Sequence, residues 1–313
     1  MWHGISGAAA FREFMSACLR ANVKGVMSPA MPVNHPISAS TQLCISLAAR
    51  PGNFGTRFHN FLYAELGLDY VYKAFTTTDL TAAIGGVRAL GIRGCAVSMP
   101  FKEACVALVD ELDASAAAIG SVNTVVNSPS GKGGGVLRAY NTDYLAVRQL
   151  IAEYGLNPRW RVALRGSGGM ARAVACALRD AGFARCVIVA RNAAAGRALA
   201  GECGYSFQPD LEDLDADLLV NVTPIGMVGG SDEHRLAFAP DAIVSASAVF
   251  DVVARPAETP LIVAARRAGK QVVTGAEVSV RQALEQFVLY TGVRPSAGQV
   301  QAAADWANDW AAG

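Results

Sequence analysis

The 313-residue sequence predicts an α/β protein of two domains, each built on a largely parallel sheet. Three observations carry that expectation. Short apolar runs alternate with helical patterns of roughly ten to fifteen residues, the signature of βαβ units. Composition is 52% hydrophobic and 17% charged, as expected for strands buried on both faces. The alternation also restarts at Arg161 with a glycine turn, which marks a second unit.

Residues 1–40 read as an N-terminal extension. Ala8–Arg20 has the pattern of one amphipathic helix, whereas Met27–Ser40 carries Pro29, Pro32, Pro36 and several serines, which is loop chemistry. From Thr41 the pattern becomes regular. Leu43–Ala49 reads as a strand, Pro51–Gly55 as a loop, and Thr56 as the N-cap of a helix over Arg57–Leu66. Tyr70–Phe75 is a second strand. Thr78 or Asp79 caps a helix over Leu80–Leu90, which Gly91 ends, and Gly94–Met99 is a third strand. An amphipathic pattern over Phe101–Leu112 predicts a helix starting just after Pro100. A short helix over Ala116–Ser121, a hairpin of Val122–Asn127 with Val136–Tyr140, and a helix over Tyr144–Tyr154 complete the first unit.

In the second unit, Val162–Leu164 is a strand, Gly166–Gly169 a turn and Met170–Ala181 a helix. Cys186–Ala190 and the helix Asn192–Cys203 follow, with further strands at Leu218–Val222, Ala248–Val253 and Gln271–Val273. Gly275–Tyr290 and Ser296–Trp310 read as helices. They lie beyond the last strand, placed to return to the first domain. The expected division is therefore 41–143, completed by 276–313, and 144–275.

Net charge is +1 and no Lys/Arg cluster occurs, so nothing predicts nucleic-acid or membrane-surface binding. The seven cysteines are scattered without a CxxC pair and there are four histidines, which argues against zinc and a disulfide framework. No apolar run is long enough for a membrane span and no secretory pattern opens the chain. The expectation is a cytoplasmic monomer or homodimer acting on a small molecule, with no metal.

Gly166-Ser167-Gly168-Gly169-Met170-Ala171 fits G-x-G-x-x-A between a strand and a helix. The first glycine permits a tight turn, the second lets backbone approach a pyrophosphate, and Ala171 allows close helix–strand packing, the fingerprint of a Rossmann-like dinucleotide-binding domain. A glycine turn can also simply connect two elements. The second strand ends Ala190-Arg191-Asn192, with no acid for a ribose 2′-hydroxyl. Arg191 offers a planar donor fork for a 2′-phosphate, and Arg197 follows, so NADP is favoured and NAD stays possible.

Lys102 sits where the third strand hands over to the predicted helix, a place where ligands bind in open α/β sheets. The positive end of that helix would disfavour the ammonium form and make Lys102 a candidate acid/base. Its plain alternative is a solvated surface lysine. Asn141-Thr142-Asp143 and Asn123-Thr124 likewise read individually as an N-cap and a strand start. Taken together, Lys102, Asn123, Asp143 and the loop Asn53–Thr56 all fall at element ends of the same half. A lysine, a carboxylate and amide donors beside a nicotinamide suit oxidation of an alcohol.

These segments, in this order, resemble the shikimate dehydrogenase family over Leu43–Val293. The matching stretches are Ser98-Met99-Pro100-Phe101-Lys102, Val122-Asn123-Thr124, Asn141-Thr142-Asp143, Gly166–Arg172, Asn221-Val222-Thr223-Pro224-Ile225-Gly226-Met227, Phe250–Val253 with Glu258-Thr259-Pro260, and Gln282. The resemblance implies a catalytic pair of Lys102 and Asp143, and substrate contacts from Asn53, Thr56, Ser98, Asn123 and Gln282. It implies cofactor contacts from Gly166, Ser167, Gly168, Gly169, Met170, Ala171, Arg191, Asn192, Thr223, Met227, Val252 and Gly275. It also implies NADP as cofactor, the nicotinamide in an interdomain cleft, and a place in the shikimate pathway of aromatic amino acid biosynthesis.

Several positions depart from the family pattern. Alignment on His59-Asn60 puts Asn53 and Gly55 where two serines hold the substrate carboxylate, and Thr56 where proline is usual. Ala254 replaces a tyrosine, Gly275-Ala276-Glu277-Val278 lacks a methionine, and Asn192 replaces a threonine. Asn-Phe-Gly-Thr before His-Asn is similar to the divergent shikimate dehydrogenase-like branch. That implies slow interconversion of shikimate and 3-dehydroshikimate, with quinate or an aminoshikimate as alternative substrates and a non-catalytic dinucleotide sensor as the alternative class.

Overall fold

The structure is a computed structural model that describes residues 36–130, 135–212 and 214–309. The helix expected over Ala8–Arg20 lies outside them. Contacts divide the chain into two compact units: one holds the described residues up to Thr142 and those from Ala283 onward, the other Asp143–Gln282.

In the first unit, parallel strands β1 (Gln42–Leu47), β2 (Tyr70–Phe75) and β3 (Gly94–Val97) are joined by helices α1 (Phe54–Glu65) and α2 (Leu80–Ala89). Asp79 caps α2 by accepting from the Ala82 N–H, and Gly91, at φ +64°, lets the chain turn out of the helix. Strands β4 (Glu111–Leu112), β5 (Thr124–Pro129) and β6 (Gly135–Tyr140) complete a mixed sheet of order β2-β1-β3-β5-β6-β4, and α3 (Ala114–Ala117) follows β4. Because β1 lies between β2 and β3, the connections diverge at the β1/β3 ends, the switch point where open sheets bind ligands.

Two expectations fail locally. There is no α-helix over Phe101–Leu112. Instead a five-residue 3-10 turn, Ala104–Leu108, gives way to extended Val109 and then β4. The sheet edge captures this backbone: the Asp110 N–H donates to the Leu137 carbonyl, and the Leu137 N–H donates to the Asp110 carboxylate, which Arg88 also grips. Those tertiary bonds override the helical periodicity. Helix α1 also starts earlier than expected, at Phe54, so Thr56 lies inside it and is not its N-cap. Asn53 takes that position without a side-chain capping bond.

In the second unit, α4 (Thr142–Glu153) leads into an all-parallel sheet of order β12-β11-β10-β7-β8-β9. Its strands are β7 (Val162–Arg165), β8 (Cys186–Val189), β9 (Ser206–Gln208), β10 (Leu218–Asn221), β11 (Ala248–Asp251) and β12 (Gln271–Thr274). Helix α5 (Gly169–Asp180) buries Ala171 and every residue from Ala173 to Leu178. Helix α6 (Ala193–Cys203) is capped by Asn192. On the other sheet face α7 (Pro240–Ser245) and α8 (Pro260–Arg267), each opened by proline at its first position, close a core with Ala163, Leu219 and Val249. The short elements β9, α7 and α8 have too few residues to show periodicity and are absent from the expected series.

Helix α9 (Gly275–Thr291) contains the division between the units, and α10 (Ala297–Asp309) belongs to the first. Gly94 is required there, because a Cβ on it would lie 2.3 Å from the Tyr290 ring. The Arg57 guanidinium donates to the Trp306 carbonyl at 2.6 and 3.0 Å and sits 4.5 Å over the Trp306 ring, tying α1 to α10. Among the described residues no helix is long and apolar enough to cross a membrane.

His59 is fully enclosed in this core, stacked 4.4 Å from Tyr72, with Nδ1–H donating to the Gly55 carbonyl at 2.8 Å and no partner for Nε2 among the described residues. Burial holds its pKa down at about 4. The unfolded chain binds this proton more readily, so the contribution of His59 to stability is complete above about pH 6.5 and is lost as pH falls toward 4. The stability difference between wild type and His59→Phe should therefore shift by about 3 kcal/mol between pH 7 and pH 4. Urea midpoints over that range test it, and a pH-independent difference would exclude this role for His59.

Candidate functional site

At the β1/β3 switch point two loops lie side by side. The Ser98 N–H donates to the Leu47 carbonyl at 2.9 Å and the Ala49 N–H to the Met99 carbonyl at 3.3 Å. The chain then turns sharply, the Phe101 N–H donating to the Ser98 carbonyl at 2.9 Å. Lys102 is in this turn, half-buried, two residues before the 3-10 segment. The α-helix expected to start beside Lys102 does not form, so the helix dipole expected from it is absent. What fixes this lysine is the sheet: the Lys102 carbonyl accepts from the Val122 N–H at 2.9 Å, and the Val97 N–H donates to the Asn123 carbonyl at 2.8 Å. Ser98, Lys102 and Asn123 are thereby gathered at one end of the sheet.

Asn123 is 3% exposed and has a divided role. Its Oδ1 accepts from the Thr142 N–H at 2.8 Å, from Thr124 Oγ1 at 2.8 Å and from Thr142 Oγ1 at 3.2 Å. Its Nδ2 donates to nothing among the described residues, which leaves a positioned amide donor. Gln286 on α9 seals the back of this group, donating to Thr124 Oγ1 at 3.0 Å and to the Asn123 carbonyl at 3.3 Å. Asp143 follows Thr142 directly in the first turn of α4 and is buried. Asn141 precedes it, donating through Nδ2 to the Ser121 carbonyl at 2.9 Å. The ordering of Asp143 is thus inherited from the Asn123 amide.

Asn53 is exposed at the start of α1, and Thr56 Oγ1 is enclosed without a partner among the described residues. A Cβ on Gly55 would meet the Tyr72 hydroxyl at 3.6 Å, an ordinary contact, so this position has room for a small side chain. Gln282 is half-buried on α9, one turn before Gln286.

In the second unit the switch point lies between β7 and β10. A cavity of about 830 Å³ opens there, lined by the glycine turn, Arg191, Asn192 and Thr223 among others. Gly166, at φ +131°, is compelled by backbone geometry, since a Cβ would meet Val222 at 2.8 Å. Gly168 and Gly169 have nothing within 4 Å of their Cβ positions. Packing therefore does not demand them. Their lack of side chains keeps open space over the first turn of α5, whose N–H groups have no partners within the helix and suit a pyrophosphate. The residues present fit a dinucleotide.

Ser167, Met170 and Ala171 are where the fingerprint puts them, Ala171 fully buried against the sheet. Asn192 Oδ1 is engaged by the Ala195 N–H, and Thr223 by Asn221, so both shape the cavity through bonds within the protein. Arg197 lies 4.7 Å over the Phe207 ring and is not among the cavity residues. Gly275 has a packing reason: a Cβ would come within 2.4 Å of the Val252 backbone. Met227 is 42% exposed on the loop after β10.

The loops after β10 and β11 are held by one buried carboxylate. Asp251 accepts from Thr259 Oγ1 at 2.6 Å, Asn221 Nδ2 at 3.0 Å and the Val253 N–H at 3.1 Å. The same Asn221 amide donates to the Ile225 carbonyl, and its Oδ1 accepts from Thr223. Asp251 and Thr259 were legible as motif residues, although the bond joining them was not.

A family model for the shikimate dehydrogenase substrate binding domain matches residues 54–125. A shikimate dehydrogenase-like protein of Haemophilus influenzae is 55% identical over 271 residues, spanning 87% of this chain and 98% of that relative. The chain belongs to the shikimate dehydrogenase family. A shikimate dehydrogenase (NADP(+)) of Moorella thermoacetica is 36% identical, spanning 82% of this chain and 90% of that relative. The solved shikimate 5-dehydrogenase of Thermus thermophilus, in complex with NADP(H) and shikimate, superposes with a TM-score of 0.74 at 29% identity, over 85% of this chain and 99% of that one.

Burial raises the pKa of Asp251 to about 6, against the hydrogen bonds that lower it. The folded state binds this proton more tightly than the unfolded chain does. Its stabilising contribution is complete below about pH 4 and is lost as pH rises through 6. Relative to Asp251→Asn, the wild type should gain on the order of 1–3 kcal/mol between pH 7 and pH 4. Paired denaturation curves at several pH values measure this. A constant offset would mean that Asp251 stays ionised throughout.

Proposed function

We propose that the chain is an NADP-dependent dehydrogenase that oxidises a ring hydroxyl of shikimate, slowly, or of a related cyclic hydroxy-acid such as quinate or an aminoshikimate. The observation that supports this best is Asn123: its main-chain carbonyl pairs with Val97 at the strand end before Lys102, while its buried side-chain amide holds the Thr142 helix start and keeps Nδ2 as a donor. A domain that merely bound a dinucleotide would need neither the lysine nor the acid.

Oxidising an alcohol to a ketone requires its O–H proton to leave as its C–H hydrogen departs with two electrons. Bound NADP+ supplies the hydride acceptor. Lys102 and Asp143 handle the proton: the carboxylate accepts a hydrogen bond from the reacting hydroxyl and orients it, and the lysine nitrogen takes the proton as the carbonyl forms. The ammonium then donates to the new carbonyl oxygen, and in the reverse direction returns the proton. Asn123 Nδ2, Gln282 and Ser98 hold other oxygens of the ring. Asn53 and Thr56 face the carboxylate end, where Gly55 supplies no hydroxyl. The glycine turn and Arg191 hold the dinucleotide.

Lys102→Met should lower kcat by about 100-fold or more and leave NADP affinity within a few-fold. Turnover assays run beside cofactor titrations measure both. A variant retaining most of its turnover would remove Lys102 from the acid–base role.

Loss of one charge-assisted hydrogen bond to a carboxylate costs about 1.5–3 kcal/mol, roughly 10- to 150-fold in binding or turnover. Gly55 has room for a side chain, so Gly55→Ser should raise kcat/KM for shikimate by about tenfold or more. Assaying wild type and variant on shikimate, quinate and aminoshikimate with both cofactors decides this. If wild type already matches dedicated biosynthetic enzymes on shikimate, the pocket has not diverged.

A further inference from the structure

Arg165 is the last residue of β7, in register with Val189 of β8 and Asn221 of β10. Successive strand residues face opposite sides of a sheet, so Arg165 shares a face with Ala163, which is in the apolar core beneath α7 and α8. The strand thus ends by replacing a core position with a guanidinium. Arg165 is only half-buried because it reaches the cavity at the switch point, where Arg191 and Arg235 also converge. Its Nη1 donates to the Ala237 carbonyl, which fixes the side chain from the protein side.

Two carboxylates line the same cavity, and both are engaged. Asp232 pairs with Arg235 at 2.7 Å, and Asp210 accepts from the Glu212 N–H at 3.1 Å. Among the described residues neither Arg165 nor Arg191 makes an ion pair. Burial and the positive charges of Arg235 and Arg191 hold the Arg165 pKa below the usual guanidinium value, with Asp232 opposing. Arg235 is thus already neutralised by Asp232, whereas holding Arg165 and Arg191 at one partly dry site is unfavourable unless a further anion joins them.

We propose that Arg165 and Arg235 complete, with Arg191, a three-arginine cradle for the 2′-phosphate of an adenosine cofactor, and that Arg165 is its main specificity-determining residue. This rests on the dinucleotide reading above and deepens it. Arg191, on the loop after β8, carries the familiar signal. Arg165 comes from the end of the preceding strand and Arg235 from the long loop after β10, so the cradle draws on two strand ends and a loop. A phosphate monoester dianion accepts several guanidinium bonds at once, whereas a ribose hydroxyl leaves Arg165 and Arg191 unneutralised.

Calorimetric binding of 2′,5′-ADP and 5′-AMP isolates this contact from catalysis. Wild type should bind 2′,5′-ADP about tenfold or more tightly than 5′-AMP. Arg165→Leu should weaken 2′,5′-ADP by about tenfold or more while 5′-AMP changes less than about threefold, and Arg165→Lys should recover part of the loss. If Arg165→Leu does not fold, Arg235→Ala, whose side chain is 67% exposed, is read the same way. Equal losses for both probes, or no loss for either, would overturn the proposal. A wild type that binds both probes equally would overturn it and leave the dehydrogenase reading to turnover with NAD. Binding of neither probe would overturn the dinucleotide reading itself.

Discussion

The first unit depends on one buried amide. Asn123 Oδ1 accepts from the Thr142 N–H and from the hydroxyls of Thr124 and Thr142, and a buried donor of this kind left unpaired costs about 1–3 kcal/mol. Those bonds hold Thr142 against the start of β5. Because the Asn123 carbonyl is simultaneously in the ladder with Val97, the strand end preceding Lys102 and the helix start bearing Asp143 share one anchor. Gln286 closes the group from behind, so the amide has one rotamer and one direction in which to present Nδ2.

The second unit uses the same device with a carboxylate. Asp251 is fully buried, and neutral donors from Thr259, Asn221 and Val253 bond its carboxylate. Burial outweighs those three bonds, as the raised pKa records. A hydroxyl and two amide groups thereby pin the loops after β10 and β11, and Gly275 lets the α9 start approach the Val252 backbone closely. His59 and Asp251 respond to acid in opposite senses, because burial favours the neutral form of each and neutrality means losing a proton for one and gaining it for the other.

Legibility in the sequence followed the range of the interactions. Strands such as Tyr70–Phe75 and helices such as Gly169–Asp180 are visible because their burial pattern repeats within a few residues. The Asp79 cap is visible because a capping side chain bonds its own helix. Phe101–Leu112 misled because its periodicity is genuine, yet the Asp110–Leu137 bonds and the Arg88 ion pair draw the chain into the sheet. Gln286 and Arg165 carry no local signal at all. A glutamine within a helix and an arginine at a strand end acquire meaning through partners 163 and 72 positions away along the chain.

By itself the sequence determined the class of the protein: the α/β alternation, the glycine turn, the order of the polar motifs and the family they mark. Each of these is encoded in residues close together in the chain, where periodicity, capping and turn chemistry act. Tertiary structure decided what fixes Lys102, which is a sheet ladder in place of a helix dipole. It also decided which face of Asn123 is left to donate, and that Arg165, Arg191 and Arg235, from three separate segments, line one cavity. Those outcomes depend on desolvation and hydrogen-bond satisfaction between segments far apart in sequence, which take effect once the chain has folded around them.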